Sequence, residues 1–187
     1  IERGRLRLPE MQRRYVWRSS RVRDLMDSLY RGYPSGAILV WETDASVPLQ
    51  DMAVKQETGT VGSSQLLLDG QQRLTSLSAV IRGEAVEVRG RRKPIELLFN
   101  LELPQDDGDQ DSSGDDLQRR FEKMTFVVST RKLEQIPHWV KVTDVFNADS
   151  DTPFLKRAGI SGFDDPRYEK YSHRLAKLRA IRKYTYR

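Results

Sequence analysis

The sequence lacks cysteine, has only two histidines and contains no long apolar run. Without cysteine the chain can form no disulfide, thiolate metal site or cysteine nucleophile. His138 and His173 have no partner at the spacing of a metal site or a catalytic triad, so we interpret both as structural. No apolar run reaches the length of a membrane span and no signal segment is visible. These absences predict a cytoplasmic protein that does not associate with membranes.

The chain is basic, with a formal net charge of +5, and its charges are segregated. Residues 1–23 hold eight arginines and two glutamates, and residues 167–187 hold eight basic residues and one glutamate. Between these basic ends, six aspartates crowd residues 104–116. Because such a segment cannot bury itself, we predict a mobile acidic loop there. A length of 187 residues allows one domain with a core, which we place at residues 1–145, followed by the start of a truncated helical extension at 146–187.

Hydrophobic patterns predict the elements of the first half of the chain. Residues 5–9 alternate and indicate a short edge strand that ends at a proline. A helical repeat follows a capping Ser19 or Ser20 and stops at Gly32. The β-branched run at residues 37–41 indicates a buried strand.

The second half continues the same alternation of strands and helices. Residues 66–68 predict a strand and residues 71–82 a helix that Gly83 terminates. Four further segments predict strands, the first two as a hairpin: 84–88, 95–101, 123–129 and 139–142. Pro166 opens a final helix with a tyrosine-containing apolar stripe. The fold class predicted is α+β, with a mixed sheet flanked by helices and a C-terminal helical extension.

The strongest chemical signal is the sequence Asp69-Gly70-Gln71-Gln72-Arg73, which joins a strand to a helix. A helix N-terminus offers unpaired N–H groups and partial positive charge to a phosphate, and Gly70 permits a sharp turn and close approach. Arg73 can add a charge-assisted contact, while Gln71 and Gln72 supply neutral donors. Asp69 would repel the phosphate directly, so we assign it to Mg²⁺ or to a ribose hydroxyl. The alternative is an ordinary turn in which Asp69 caps an exposed helix.

A second cluster precedes the first helix, at residues 12–17. Arginine beside aromatic rings suits base stacking combined with phosphate contact, and we predict that Gln12 and Arg13 face the ligand. The alternative is a loop pinned to the core by Tyr15 and Trp17, which we prefer for the two aromatic residues themselves.

Three motifs together resemble the N-terminal domain of GmrSD-type restriction endonucleases. They are LPEMQRRYVW at residues 8–17, YPSGAILVW at residues 33–41 and LDGQQRLTSL at residues 68–77. The resemblance implies a ParB/sulfiredoxin-like fold that binds and hydrolyses nucleoside triphosphates. It also implies control of a separate histidine-metal nuclease domain, in the same or a partner chain, that is directed at foreign, often modified DNA.

Carried onto this chain, the resemblance assigns roles to individual residues. Asp69 and Arg73 are expected to be catalytic, with Asp69 also holding Mg²⁺ or another divalent cation that accompanies the nucleoside triphosphate. The expected nucleotide-binding residues are Gln12, Arg13, Gly70, Gln71 and Gln72.

Three other functions stay open on the sequence alone. The chain could be a non-enzymatic DNA-binding module whose basic segments grip backbone phosphates. It could be a nuclease that acts through Asp69, although a single carboxylate is a poor phosphodiesterase site. It could also be an interaction scaffold that uses an exposed tyrosine stripe on the final helix.

Overall fold

The structure, a computed structural model, describes residues 5–43, 47–56, 65–88, 91–103 and 123–186. It divides into two compact units, the first comprising Ile1–Ile95 with Lys183–Arg187 and the second Glu96–Arg182. The predicted α+β class with a mixed sheet is confirmed, whereas the likeness to ParB and sulfiredoxin and the division at residue 145 stay predictions. The acidic loop predicted at residues 104–116 lies outside the described residues.

The first unit contains a four-stranded mixed sheet of order β2-β4-β1-β3. Its strands are β1 (Leu6–Pro9), β2 (Leu39–Glu42), β3 (Leu49–Gln50) and β4 (Gln65–Asp69). β1 runs parallel to β4, and the other two pairings are antiparallel. The prediction that β1 is an edge strand was therefore wrong. The other side of β1 pairs with the two-residue strand β3, which comes from a polar segment that has no strand pattern. Proline is tolerated at position 9 because Pro9 is the last residue of β1.

Helix α1 (Ser19–Arg31) confirms the helical repeat read from the sequence. Its apolar positions Val22, Leu25, Met26 and Leu29 are buried, and Gly32 ends it in the left-handed conformation at φ 77°. The predicted serine cap was wrong. Ser19 is already the first helical residue, and Arg18 precedes it with no side-chain capping bond.

Strand β2 differs from its prediction in burial. All four residues are exposed, and Leu39 and Trp41 keep 56% and 46% of their accessible surface. Among the described strands, β2 lies at an end of the sheet order and pairs with β4 alone. The strand predicted to be buried is therefore exposed at the edge of the sheet.

Helix α2 (Gln71–Arg82) follows β4 after Gly70 and ends at Gly83, as predicted. The strand after it, β5 (Val86–Val88), pairs with β6 (Arg91–Lys93). The hairpin predicted between residues 84–88 and 95–101 was wrong, because the partner of β5 is β6, which lies between these two segments. Residues 97–100 instead belong to the second unit.

The second unit contains an antiparallel sheet of order β8-β7-β9. Its elements are β7 (Leu97–Asn100), β8 (Phe126–Val128), β9 (Trp139–Lys141), α3 (Arg131–Glu134), α4 (Val142–Asn147), α5 (Thr152–Arg157), α6 (Tyr168–Ala180) and a 3-10 turn (Ile181–Lys183). On α6, Tyr171, Leu175 and Leu178 of the predicted apolar stripe are buried, which removes the exposed stripe on which the scaffold alternative depends. Among the described helices, none is both long and apolar enough to cross a membrane.

Candidate functional site

The chain turns sharply between β4 and α2 at Gly70. Gly70 has φ 95°, a conformation that L side chains rarely adopt, and a Cβ atom there would collide with the side chain of Ile38. The first helical bond runs from the Leu74 N–H to the Gly70 carbonyl at 3.0 Å, and no side chain caps the helix. The first-turn N–H groups of α2 are therefore left to a partner other than a capping side chain.

Asp69 and Arg73 meet across this turn. The Arg73 Nη2 atom lies 3.2 Å from Asp69 Oδ2, and it also donates to the Ala37 carbonyl. The Asp69 side chain is 71% exposed, whereas that of Arg73 is 19% exposed. A Cβ atom at Gly36, which has φ 89°, would lie 2.8 Å from Arg73 Nη1. Two glycines, Gly36 and Gly70, thus leave room for one guanidinium.

Buried polar atoms with no hydrogen-bond partner within the described ranges lie beside this ion pair. A partly exposed ion pair contributes about 0–1 kcal/mol. Against that gain, Arg73 Nε is buried without a hydrogen-bond partner among the described residues, and an unpaired buried donor costs about 1–3 kcal/mol. Gln71 Oε1 and Thr75 Oγ1, on the same helix, are also buried and unpaired there. Residues retained at such a cost are characteristic of functional sites.

Gln72 is buried and has a different set of contacts from Gln71. Its Oε1 accepts from the N–H groups of Val16 at 2.9 Å and Trp17 at 3.3 Å, and its Nε2 donates to the Arg14 carbonyl at 3.1 Å. Both ends of the amide are therefore bonded to the segment of residues 12–17. In this structure Gln72 positions that segment, and its predicted contact with a nucleotide stays a prediction.

Gln12 anchors the other end of the same segment. Its Nε2 donates to the Leu68 carbonyl at 2.8 Å, one residue before Asp69. Gln50 of β3 donates in turn to the Gln12 carbonyl at 2.5 Å. The segment of residues 12–17 is therefore tied to the end of β4 by Gln12 and to the start of α2 by Gln72.

Arg13 lies between these two anchors with an exposed side chain. Neither it nor Arg14 makes a side-chain hydrogen bond or ion pair within the part of the chain that the structure describes. The structure thus brings Gln12, Gln72, Asp69 and Arg73 to one corner of the first unit. It leaves the Arg13 guanidinium available to a ligand.

Tyr15 packs into the core, in agreement with the interpretation that we preferred for this residue. It is 2% exposed, and its hydroxyl lies 2.8 Å from Ser76 Oγ. Burial raises the pKa of the Tyr15 phenol, and the Ser76 hydroxyl opposes that rise. Trp17 is half-buried, with the Arg21 guanidinium 5.5 Å from the centre of its ring.

Sequence reasoning missed the contribution of Gly36 and of the Ala37 carbonyl. The sequence Pro34-Ser35-Gly36 signalled only a turn, although a glycine that requires positive φ is also a signal for close approach. Nothing local in the sequence indicates that the approaching group belongs to Arg73, which is 37 residues further along the chain.

The donor set fits a magnesium ion that arrives with a phosphate ligand. Among the described residues, no group of three or more acidic, histidine or cysteine side chains could hold a metal by itself. Mg²⁺ commonly binds through one or two carboxylates together with substrate phosphates and water. Asp69, a largely exposed carboxylate beside an uncapped helix start, suits that role.

An open groove of about 330 Å³ also lies in the first unit. It is lined by Pro9, Glu10, Met11, Val47 and Pro48. None of these five residues is a predicted site residue.

A model of the family described as "GmrSD restriction endonuclease, N-terminal domain" matches residues 1–181. The chain belongs to this family. The match agrees with the three motifs, all of which fall inside it, and it links this GmrSD N-terminal domain to restriction systems.

The chain is also similar to an uncharacterized protein, MJ0686, of Methanocaldococcus jannaschii. The two are 30% identical over 114 residues, which cover 57% of this chain and 20% of that protein. The chain therefore spans about a fifth of the length of this relative.

Proposed function

We propose that this GmrSD N-terminal domain binds and hydrolyses a nucleoside triphosphate and thereby regulates a restriction system that acts on foreign or modified DNA. One observation carries the proposal. The Arg73 guanidinium is held by Asp69 and the Ala37 carbonyl, beside two glycines, at the uncapped start of α2. Family membership supports the restriction-system part of the proposal.

The corner offers the charge that a polyphosphate needs. The N–H groups of the first turn of α2 and the dipole of the helix attract an anion. Arg73 adds a fixed positive charge, and such charges stabilise the transition state of phosphoryl transfer. When bound, Mg²⁺ would neutralise charge on the phosphate oxygens, and Asp69 is the residue that would hold it.

The segment of residues 12–17 supplies the second side of this proposed site. Because Gln12 and Gln72 fix its two ends, Arg13 is presented on a segment of defined position. A guanidinium held in this way loses less entropy on binding a phosphate than one on a free loop. Gln12 and Gln72 thus act by positioning, while Arg13, Gly70 and Gln71 are proposed to contact the nucleotide.

The test is calorimetric titration of the chain with each of the four common ribonucleoside triphosphates in the presence of Mg²⁺. Arg73→Ala should weaken binding roughly 10- to 100-fold, since hydrogen bonds to charged groups contribute about 1.5–3 kcal/mol. Arg31→Ala is the matched control, because Arg31 forms an i,i+4 ion pair with Asp27 at 2.8 Å on α1. Asp69→Asn and Asp27→Asn form a second matched pair.

Two results would end the proposal. One is that the unaltered chain binds none of the four triphosphates. The other is that Arg73→Ala and Arg31→Ala bind equally well. If binding is retained but no phosphate is released by the unaltered chain, hydrolysis alone is removed from the proposal.

A second candidate function is DNA binding without hydrolysis, and the free arginines favour it. Arg13, Arg14 and Arg18 are exposed and make no side-chain hydrogen bond or ion pair among the residues described. This candidate predicts an affinity for duplex DNA that falls steeply with salt and does not change in Asp69→Asn. We propose both DNA and a nuclease domain, in the same or a partner chain, as partners of the full system.

A further inference from the structure

The residues after α6 return to the first compact unit, which includes Lys183–Arg187. Ser35 Oγ donates to the Tyr184 hydroxyl at 3.3 Å. The rings of Tyr184 and Tyr186 meet edge to face, with their centroids 5.0 Å apart. These two residues, which we call the C-terminal tyrosine pair, therefore lie against the segment that leads into β2.

That same segment lines the Arg73 guanidinium. Ser35 is followed directly by Gly36, where a Cβ atom would lie 2.8 Å from Arg73 Nη1, and then by Ala37, whose carbonyl accepts from Arg73. The C-terminal tyrosine pair and Arg73 thus share one short stretch of chain. Consistent with this placement, burial raises the pKa of Tyr186, while the Ser35 hydroxyl and the positive charge of Arg73 act in the opposite direction.

Two buried polar atoms near Ser35 and Gly36 lack a hydrogen-bond partner among the described residues. The Tyr186 hydroxyl is buried and has no geometrically acceptable hydrogen-bond partner in the described part of the chain, and the same is true of Arg73 Nε. The Tyr184 hydroxyl, on an exposed side chain, accepts from Ser35. Buried donors without acceptors are unfavourable, and a ligand that carries acceptor oxygens would satisfy both the Tyr186 hydroxyl and Arg73 Nε.

We propose that the C-terminal tyrosine pair forms a further wall of the Arg73 site, and that the Tyr186 hydroxyl donates a hydrogen bond to the phosphate oxygen that Arg73 binds. The inference rests on the proposed function and extends it, since none of the motifs that define the site includes residues 184–186. The ligand class is a polyphosphate, because its oxygens are acceptors and its charge complements Arg73.

The experiment compares Tyr186→Phe with Tyr33→Phe in the whole 187-residue chain. Tyr33 is 57% exposed in the same unit and serves as the matched control. Affinities are measured by calorimetry, with Mg²⁺, for the triphosphate that binds best and for inorganic tripolyphosphate. Loss of one hydrogen bond should weaken both ligands roughly 3- to 10-fold in Tyr186→Phe and leave them unchanged in Tyr33→Phe.

Thermal melting without ligand separates binding from folding. Because the Tyr186 hydroxyl makes no hydrogen bond of acceptable geometry among the described residues, Tyr186→Phe should melt at or above the temperature of the unaltered chain. It should also gain less from added tripolyphosphate, since a weaker ligand stabilises less. A purely structural tyrosine would instead lower the melting temperature and leave the affinity of the folded chain unchanged.

Three results overturn the inference while leaving the proposed function intact, provided that Arg73→Ala still weakens binding. Tyr186→Phe could bind both ligands as the unaltered chain does. It could bind them more tightly, which would make the tyrosine pair a cover that competes with the ligand. It could lose affinity for the nucleotide alone, which would place Tyr186 beside the base. If the unaltered chain binds neither ligand, the proposed function and this inference fall together.

Discussion

The apolar cluster of the second unit and helix α2 of the first unit bury different kinds of side chain. In the second unit, all four residues of β7 are buried, and Leu98 packs in one cluster with Val127, Leu133 and Trp139. In the first unit, helix α2 buries Gln71, Gln72, Thr75 and Ser76. An apolar cluster stabilises by removing hydrocarbon from water, whereas a buried amide stabilises only as far as its hydrogen bonds are satisfied.

This difference distinguishes residues that stabilise the fold from residues that position the proposed site. Among the buried polar side chains of α2, Gln72 and Ser76 are bonded to the segment of residues 12–17, whereas Gln71 Oε1 and Thr75 Oγ1 are unpaired in the described part of the chain. Neither a hydrogen-bonded nor an unpaired polar side chain stabilises the fold as much as leucine or valine would at the same positions. We infer that the first unit retains them for binding, and mutations in the two units should therefore differ in kind.

The largest effect should come from the apolar cluster of the second unit. Trp139 is 1% exposed, and Trp139→Ala should lower the free energy of unfolding by about 3–5 kcal/mol through lost burial and a new cavity. Urea unfolding followed by circular dichroism measures it. Trp41→Ala is the control, because Trp41 is 46% exposed on the edge strand β2.

The difference between the two units also predicts how Trp139→Ala affects ligand binding. Any folded Trp139→Ala protein should keep the ligand affinity of the unaltered chain, since the site residues belong to the first unit. Equal destabilisation by Trp139→Ala and Trp41→Ala would contradict the assignment of a stabilising core to the second unit.

Local pattern was sufficient to predict the helices that frame the site. Helix α1 was predicted from its apolar repeat, and the turn from β4 to α2 from the order strand, glycine, helix. Both patterns depend on neighbouring residues, so they can be recognised in the sequence. The exposure of β2 was not predictable in this way. It depends on the order of the strands, in which β2 stands at one end beside β4, while β3 pairs with β1 at the other end.

The site shows the same limit. The proximity of Asp69 to Arg73 follows from their i,i+4 spacing across the helix start. The contacts of Gln72 do not follow from any local rule. A glutamine at a helix start has the same sequence signature whether its amide faces a ligand or a segment 55 residues away. Only the three-dimensional structure shows that the Gln72 amide contacts the segment of residues 12–17.

The next largest effect should come from Gln72. Gln72→Ala leaves the N–H groups of Val16 and Trp17 and the Arg14 carbonyl without their present partner. We expect a loss of about 1–3 kcal/mol in the free energy of unfolding. Unlike Trp139→Ala, it should also weaken triphosphate binding, because the segment that carries Arg13 loses an anchor.

Two further variants sharpen this prediction. Gln72→Glu keeps the acceptor oxygens for Val16 and Trp17 but cannot donate to Arg14, so its losses should be intermediate. Gln135→Ala removes an exposed glutamine of the second unit and should change neither quantity. If Gln72→Ala lowers stability and leaves affinity intact, Gln72 belongs with the stabilising residues and the contrast between the units weakens.

The smallest effect should come from Tyr15, which buries both an apolar ring and a hydrogen-bonded hydroxyl. The Ser76 hydroxyl donates to the Gln72 carbonyl at 2.6 Å, so the Tyr15 hydroxyl is the donor in its contact with Ser76. Tyr15→Phe keeps the buried ring and removes that bond, which should cost about 0.5–1.5 kcal/mol at neutral pH. Tyr33→Phe, on an exposed ring, should cost nothing measurable.

The pH dependence of this difference tests its cause. Because burial raises the pKa of Tyr15, the fold favours the neutral phenol. The associated stability is fully present below the usual tyrosine pKa of about 10 and is lost as the pH rises through the raised pKa of the folded state. Tyr15→Phe has no such step, so its deficit relative to the unaltered chain should shrink above about pH 10. Tyr171 and Tyr186, whose pKa values burial also raises, remain in both proteins and cancel. A deficit that stays constant between neutral and strongly alkaline pH would mean that the Tyr15 phenol titrates as it does in the unfolded chain.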